Sequence, residues 1–237
     1  MIGSIMNLKA IFFTLVLTTT TLVNIPAIGQ ETSDNRISDN GTSDNGRSGQ
    51  AASTTLTAYD LIDNLSQEIL AAARASNNNN YRENIREILD DKYIERIDFL
   101  RITKTSTGAK AFNNASDDQQ EALVREYSEY LIGLISTAAY NLPDYTIELI
   151  PTDSSKNKKK AEVGLKLKNT NTNAEIEAEF ILHSLDGPWK IYDLNIAGTS
   201  AMIASKFFIK SSIEKSGMDG LIDELKKLNK ATTPKPK

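Results

Sequence analysis

The chain has no cysteine, one histidine and one tryptophan. Without cysteine there is no disulfide, no thiolate zinc site, no thiol nucleophile and no cysteine-linked lipid anchor. With His183 as the sole imidazole, a zinc site would need mostly carboxylate ligands, and a general base would need a positioned partner that the sequence does not announce. Aromatic residues make up 7% of the chain, are not interleaved with basic ones, and the net charge is −4. A nucleic-acid footprint is therefore not expected. No G-x-S-x-G, phosphate-loop or dinucleotide fingerprint occurs. Asp90-Asp91 and Asp117-Asp118 are adjacent in sequence, so on a helix the two carboxylates of each pair point apart and read as solvated or capping groups.

What is present is organised in blocks. Lys9 precedes an apolar stretch, Ala10 to Leu17, that is too short to span a bilayer, and small residues stand at Ala27 and Gly29. This pattern predicts a signal peptide over residues 1–29, with export from the cytoplasm. Residues 30–55 are polar and repeat Ser-Asp-Asn at 33, 38 and 43, which predicts a disordered linker. Residues 56–230 carry the patterning of one folded domain, and residues 231–237, with Pro234 and Pro236, read as a flexible tail.

Inside the domain the apolar period is first helical. Thr57 with Asp60 offers a capping box, followed by Ala58, Ile62, Leu65 and Ile69 on one stripe. Asn80 with Glu83 predicts a second helix start. A helical stretch is expected over about 93–104, with a bend at Gly108. Ser116 with Gln119 opens a long helix through Leu131 and Ala138 that ends before Pro143. The period then becomes two, in runs centred on Ile147, Leu165, Ala178 and Ile191. Helices followed by strands predict an α+β domain with a twisted antiparallel sheet of about four strands. Two final helices, about 199–216 and 219–228, are expected to return across it.

One sheet face should be charged. Glu175, Glu177 and Glu179 would lie opposite Lys166 and Lys168 and pair across strands. Lys156, Lys158, Lys159 and Lys160 make a basic tip, read as a soluble turn or as a contact for anionic headgroups or an acidic partner. The other face is aliphatic: Val163, Leu165, Leu167, Ile176, Ala178, Phe180, Leu182 and Ile191. The helices that could cover it bear Phe99, Ile102, Leu131, Ile135, Met202, Ile203, Phe207 and Ile209. By pattern alone these residues read as a filled core, because pattern does not distinguish a filled core from one enclosing a greasy cavity.

The C-terminal third carries a resemblance. Trp189-Lys190-Ile191-Tyr192-Asp193, then Gly198-Thr199-Ser200, then Gly217-Met218-Asp219-Gly220-Leu221 resemble the signature of the MlaC-type family of periplasmic phospholipid-binding proteins, also called the toluene-tolerance family. Looser similarity runs back through Asp118-Gln119-Gln120, Gly108 and Phe99 to about Tyr59. The resemblance implies a cone-like fold similar to nuclear transport factor 2, with an apolar cavity between sheet and helices that takes both acyl chains. It implies a monomeric, non-enzymatic carrier in the periplasm of a Gram-negative bacterium, with no cofactor beyond the phospholipid cargo. Its partners would be an inner-membrane ABC transporter with an MCE-domain protein and an outer-membrane lipoprotein complex. The aliphatic residues from Phe99 to Phe207 named above would then be the lipid contacts. Two departures stand out: Ala197 occupies a position that is commonly Glu, and only Phe112 follows Gly108 where an aromatic pair is common. Different headgroup contacts, or a hopanoid-like lipid, would follow. An adaptor module of the cell envelope, or an isomerase-like enzyme using Tyr192 and Asp193, are the alternative readings on the same scaffold.

Overall fold

Thr57 begins the first helix, α1 (Ala58–Ala75), by a reciprocal cap: its hydroxyl accepts from the Asp60 amide at 3.1 Å and the Asp60 carboxylate accepts from the Thr57 amide. The computed structural model of the chain describes residues 56–76, 80–150, 159–185 and 187–232. The signal-peptide and Ser-Asp-Asn linker readings, the tail reading beyond residue 232, and Lys156 and Lys158 lie outside those residues; the first two residues assigned to the tail, Ala231 and Thr232, end the last helix. The apolar stripe of α1 is buried as its spacing requires, with Leu61, Ile62, Leu65 and Ile69 all inside the core. Each such side chain contributes roughly 1.5–3 kcal/mol by leaving water.

Helix α2 (Tyr81–Ile88) starts without the side-chain cap expected of Asn80. Asn80 contributes only its carbonyl, which accepts from the Asn84 amide at 3.1 Å. The chain then winds through a π turn (Leu89–Tyr93) and a 3-10 turn (Ile94–Arg96). The single helix expected over 93–104 is in fact broken here. Ile97 is extended and bridges Ile191 of the sheet, and the Asp98 amide donates to the Ile191 carbonyl at 2.8 Å. The Asp98 carboxylate then caps a new helix, α3 (Phe99–Thr107), by accepting from the Arg101 amide. Gly108, at φ 85°, turns the chain into the short α4 (Ala109–Asn113). The Ser116–Gln119 capping box opens α5 (Asp117–Ala139) as predicted.

The sheet is a five-stranded antiparallel meander in sequence order: β1 (Tyr145–Ile150), β2 (Lys160–Asn169), β3 (Glu175–His183), β4 (Lys190–Ile196) and a two-residue β5 (Thr199–Ser200). The register sets Val163 against Phe180, Leu165 against Ala178 and Leu167 against Ile176, so all six share one face. On the other face Lys168 stands opposite Glu175 and Lys166 opposite Glu177, with a Lys166–Glu175 ion pair at 3.7 Å across the diagonal. Tyr192 has no partner in β3, because Ile181 pairs with Asp193 and Leu182 with Ile191. This bulge reverses the alternation, so Ile191 as well as Leu194 and Ile196 lies on the apolar face.

The last helix, α6 (Ala201–Thr232), is two helices joined at Gly217, whose φ of 71° and ψ of −174° suit glycine. Its start is fixed by Asp193. One carboxylate oxygen accepts from the Ser200 hydroxyl at 2.6 Å, the other from the Met202 amide at 3.2 Å, and the Ser200 hydroxyl accepts from the Ile203 amide. The helix does not return across the sheet face as expected. It packs on α3 and α5 at the β4 edge, where Ile209, Leu221, Ile222 and Leu225 join Ile102, Phe112, Leu123 and Tyr127 in a second core. The sheet face is covered by α1, by residues 85–93 and by the second half of α5.

Asp193→Ala removes the cap and strands a hydroxyl and an amide, so urea unfolding should show a loss of about 2 kcal/mol. Asp223→Ala, which removes an exposed carboxylate from the same helix, should change stability by less than about 0.5 kcal/mol. Equal effects of the two would refute the clamp.

Candidate functional site

The apolar sheet face is covered unevenly. Val163, Leu165, Leu167, Ile176, Leu182 and Ile191 are buried. Ile147 and Leu149 on β1, Ala178 and Phe180 on β3, and Ile196 on β4 are only half-buried, although all pack against the same core. Phe99 from α3 and Ile135 and Ala138 from α5 meet that core from the helical side, also half-buried. These half-buried side chains form an apolar strip along the margins of the sheet face, on either side of the buried β2 residues, that the helices close only in part. Its chemistry is simple: no charged group belongs to it, and what it can hold is hydrocarbon.

The other sequence-predicted contacts fall elsewhere. Ile102 and Leu131 belong to the second core with Tyr127 and Ile209. Met202 is half-buried in the first turn of α6, its carbonyl accepting from the Ser106 hydroxyl at 3.4 Å. Ile203 is 61% exposed and Phe207 is 68% exposed. Asp193 and Ser200 set the rotation of α6 so that Ser205, Ile209 and Ser212 point inward, which turns Ile203 and Phe207 outward. Neither covers the sheet. Conversely, sequence reasoning left Ile147, Leu149 and Ile196 out of the site. The alternation that made Tyr145–Leu149 a strand already put Ile147 and Leu149 on its apolar side.

Polar groups near the cores are tied into structure. His183 is buried at the end of β3, and its Nε2 lies 2.8 Å from the Asp98 carboxylate, which joins the sheet to the start of α3. Tyr192 makes a tilted ring contact with His183, centroids 5.4 Å apart, and the Arg101 guanidinium lies 4.0 Å over the Tyr192 ring. Both oxygens of Asp193 are engaged at the helix start. Among the described residues no group of three metal-ligating side chains comes together. In the second core the Tyr127 hydroxyl meets Ser106 at 3.4 Å, and the hydroxyls of Thr103 and Thr107 are buried without a hydrogen-bond partner. Burial pushes the Tyr127 phenol above its ordinary value, and hydrogen bonds to Ser106 and Ser205 offset this in part. A shallow groove of about 520 Å³ lies at the α3–α4 junction, lined by Thr107, Gly108, Ala109, Lys110, Ala111 and Asn114. It is separate from the strip.

The family model described as MlaC protein matches residues 63–227, from the first helix through the Gly217 break. This chain belongs to the MlaC family. The resemblance read in Trp189 to Leu221 lies wholly inside the match. A solved structure of a phospholipid-binding protein from Ralstonia solanacearum, in complex with a phospholipid, superposes with a TM-score of 0.64 at 21% identity. The superposition covers 75% of this chain and 99% of that one, and it shows that the two share a fold. No curated protein matches.

The Tyr127 phenol gives the second core a pH signature. Its folded pKa exceeds its unfolded one, so its contribution is complete below the unfolded value. As pH rises above about 10 the unfolded chain ionises first, and stability falls. Tyr130 and Tyr93, each pushed up to about 12 by burial, act in the same direction. Tyr127→Phe should therefore lose less stability than wild type between about pH 10 and 12 when unfolding is followed by circular dichroism. An unchanged alkaline decline would show that Tyr127 is solvated.

Proposed function

We propose that this protein is a periplasmic phospholipid carrier that holds the acyl chains of its cargo against the half-covered strip between sheet and helices. The observation that carries the reading is the strip itself: Ala178, Phe180 and Ile196 from the sheet and Phe99 and Ile135 from the helices pack on one core, are all apolar and are all only half-buried. Membership of the MlaC family supports it, as does the shared fold of a protein solved with a phospholipid. Lipid chains lying there would complete the burial that the helices leave unfinished.

The physical problem for a carrier is to hold lipid against water without holding it against a membrane. Each buried methylene contributes about 0.8 kcal/mol, so a two-chain lipid gains on the order of 20 kcal/mol on leaving water, near the ceiling of non-covalent binding. A bilayer offers much the same gain. Exchange between strip and bilayer is then nearly neutral, while escape into water is forbidden. No covalent step is needed, and direction comes from partners. In this reading the signal peptide delivers the chain to the periplasm. There it passes lipid between an outer-membrane lipoprotein complex and an inner-membrane ABC transporter with its MCE-domain protein.

Lipid extraction and native mass spectrometry of the purified protein should find phospholipid at close to one per chain. Ala178→Trp, which puts an indole into the strip between Leu165 and Ile196, should lower that occupancy about tenfold or more while the protein stays folded. Ile222→Val in the second core should cost about 1 kcal/mol of stability and leave occupancy unchanged. Wild-type protein free of phospholipid in repeated preparations would sink the proposal.

A further inference from the structure

Basic side chains are grouped on two stretches of this chain. Residues 99–116, which contain α3 and α4, carry Arg101, Lys104 and Lys110 and no acidic residue. Residues 194–213, which contain the first turns of α6, carry Lys206 and Lys210 and again none. All five cations are exposed, on helices that pack together through the Ser106–Met202 contact. The two segments thus hold +5 in a protein of net charge −4, and the remaining residues hold −9. Acidic residues border both segments: Asp98 is engaged capping α3 and Asp193 at the start of α6, Asp117 and Asp118 open α5, and Glu214 pairs with Lys210 at 3.7 Å.

Within this basic region stand large apolar side chains that face water. Leu100 on α3 is 57% exposed, and Ile203 and Phe207, one turn apart on α6, are more so. Alternation of exposed Ile203, Lys206, Phe207 and Lys210 on one helix face is the composition of a helix that lies in a bilayer interface: an apolar side chain enters and a lysine beside it meets a headgroup. On α6 this surface is the outside of a helix, which suits a flat, deformable partner. α6 also begins one residue after Ser200, and Thr199 pairs with Ile196 at the end of the apolar strip.

We propose that the face made by α3, α4 and the first turns of α6 docks on the surface of an anionic phospholipid bilayer. Phe207 and Ile203 enter the interface, and the five cations lie over the headgroups. The strong acidity of the rest of the molecule turns it away from the same surface, so one orientation is selected. Docking in that orientation brings the Ile196 end of the strip to the membrane. This last consequence rests on the carrier reading; the docking itself does not.

Co-sedimentation of the full chain with vesicles tests it. Vesicles of phosphatidylcholine with about one-third phosphatidylglycerol should bind the protein at least about tenfold more strongly than pure phosphatidylcholine vesicles, and added salt should weaken the binding. The double variant Ile203→Ser, Phe207→Ser should reduce binding to the anionic vesicles about fivefold or more, and Lys206→Glu, Lys210→Glu should do the same. Leu185→Ser, an exposed apolar residue on the β3–β4 connection, should have no effect. Equal binding to both vesicle types, or full binding by the two double variants, overturns the proposal. So does concentration-dependent self-association that the Ile203, Phe207 variant abolishes, since that outcome gives the face to a second copy of the chain. Co-purified phospholipid is measured on the same samples: its absence with docking intact sinks the carrier reading alone, and its presence with docking lost sinks the membrane face alone.

Discussion

A sheet with one apolar face must cover that face or hold something on it. The register of β2 and β3 leaves no choice about which residues are involved, since Val163, Leu165 and Leu167 meet Phe180, Ala178 and Ile176 on the same side. The covering elements are α1, the turns around Leu89 and Tyr93, and the part of α5 near Ile132 and Ala139. They seal the centre, where Leu182 and Ile62 are wholly buried. They do not seal the margins at Ile147, Leu149, Phe180 and Ile196. Much of the architecture follows from this shortfall in cover.

The remaining helices are not free to make good the shortfall, because they are committed to a core of their own. Asp193 and Ser200 fix where α6 starts and how it is rotated. Gly217 reverses its course, and Gln119–Asp219 at 2.8 Å and Asn229–Glu126 at 3.1 Å hold the second half on α5. The Asp98–His183 contact pins α3 to the end of β3. The molecule thus has two cores with different duties. The one at α3, α5 and α6 ties those helices to one another, with Leu123, Leu221 and Leu225 wholly buried. The one beneath the sheet is only half-covered along its edges, where the proposed lipid cargo would enter and leave.

Local signals in the sequence transferred well to the structure, and non-local ones did not. Thr57–Asp60 and Ser116–Gln119 are complete within four residues, and both capping boxes form. Strand alternation likewise depends only on period, and it located all four long strands. The break at Ile97 was hidden because it is made by Ile191, far away in the chain, and because Asp98 reads as an ordinary helix residue until its cap is seen. The rotation of α6 was hidden for a related reason. Met202, Ile203, Phe207, Phe208 and Ile209 surround the helix, so no single stripe is marked. The carboxylate of Asp193 decides which of them turn inward. As a result the strand half of the candidate site was legible, whereas the helix half was assigned partly to residues that face water.

The claim on which the account turns is that hydrocarbon lies on the strip and not in the second core. Isotope-filtered nuclear Overhauser spectroscopy, on labelled protein carrying an unlabelled phospholipid, reads this directly. The account predicts contacts from acyl methylenes to Ala178, Phe180, Ile196 and Ile135, and none to Leu221 or Leu225. Acyl contacts concentrated on Leu221 and Leu225, or their absence from Phe180 and Ile135 in a lipid-loaded sample, would contradict it.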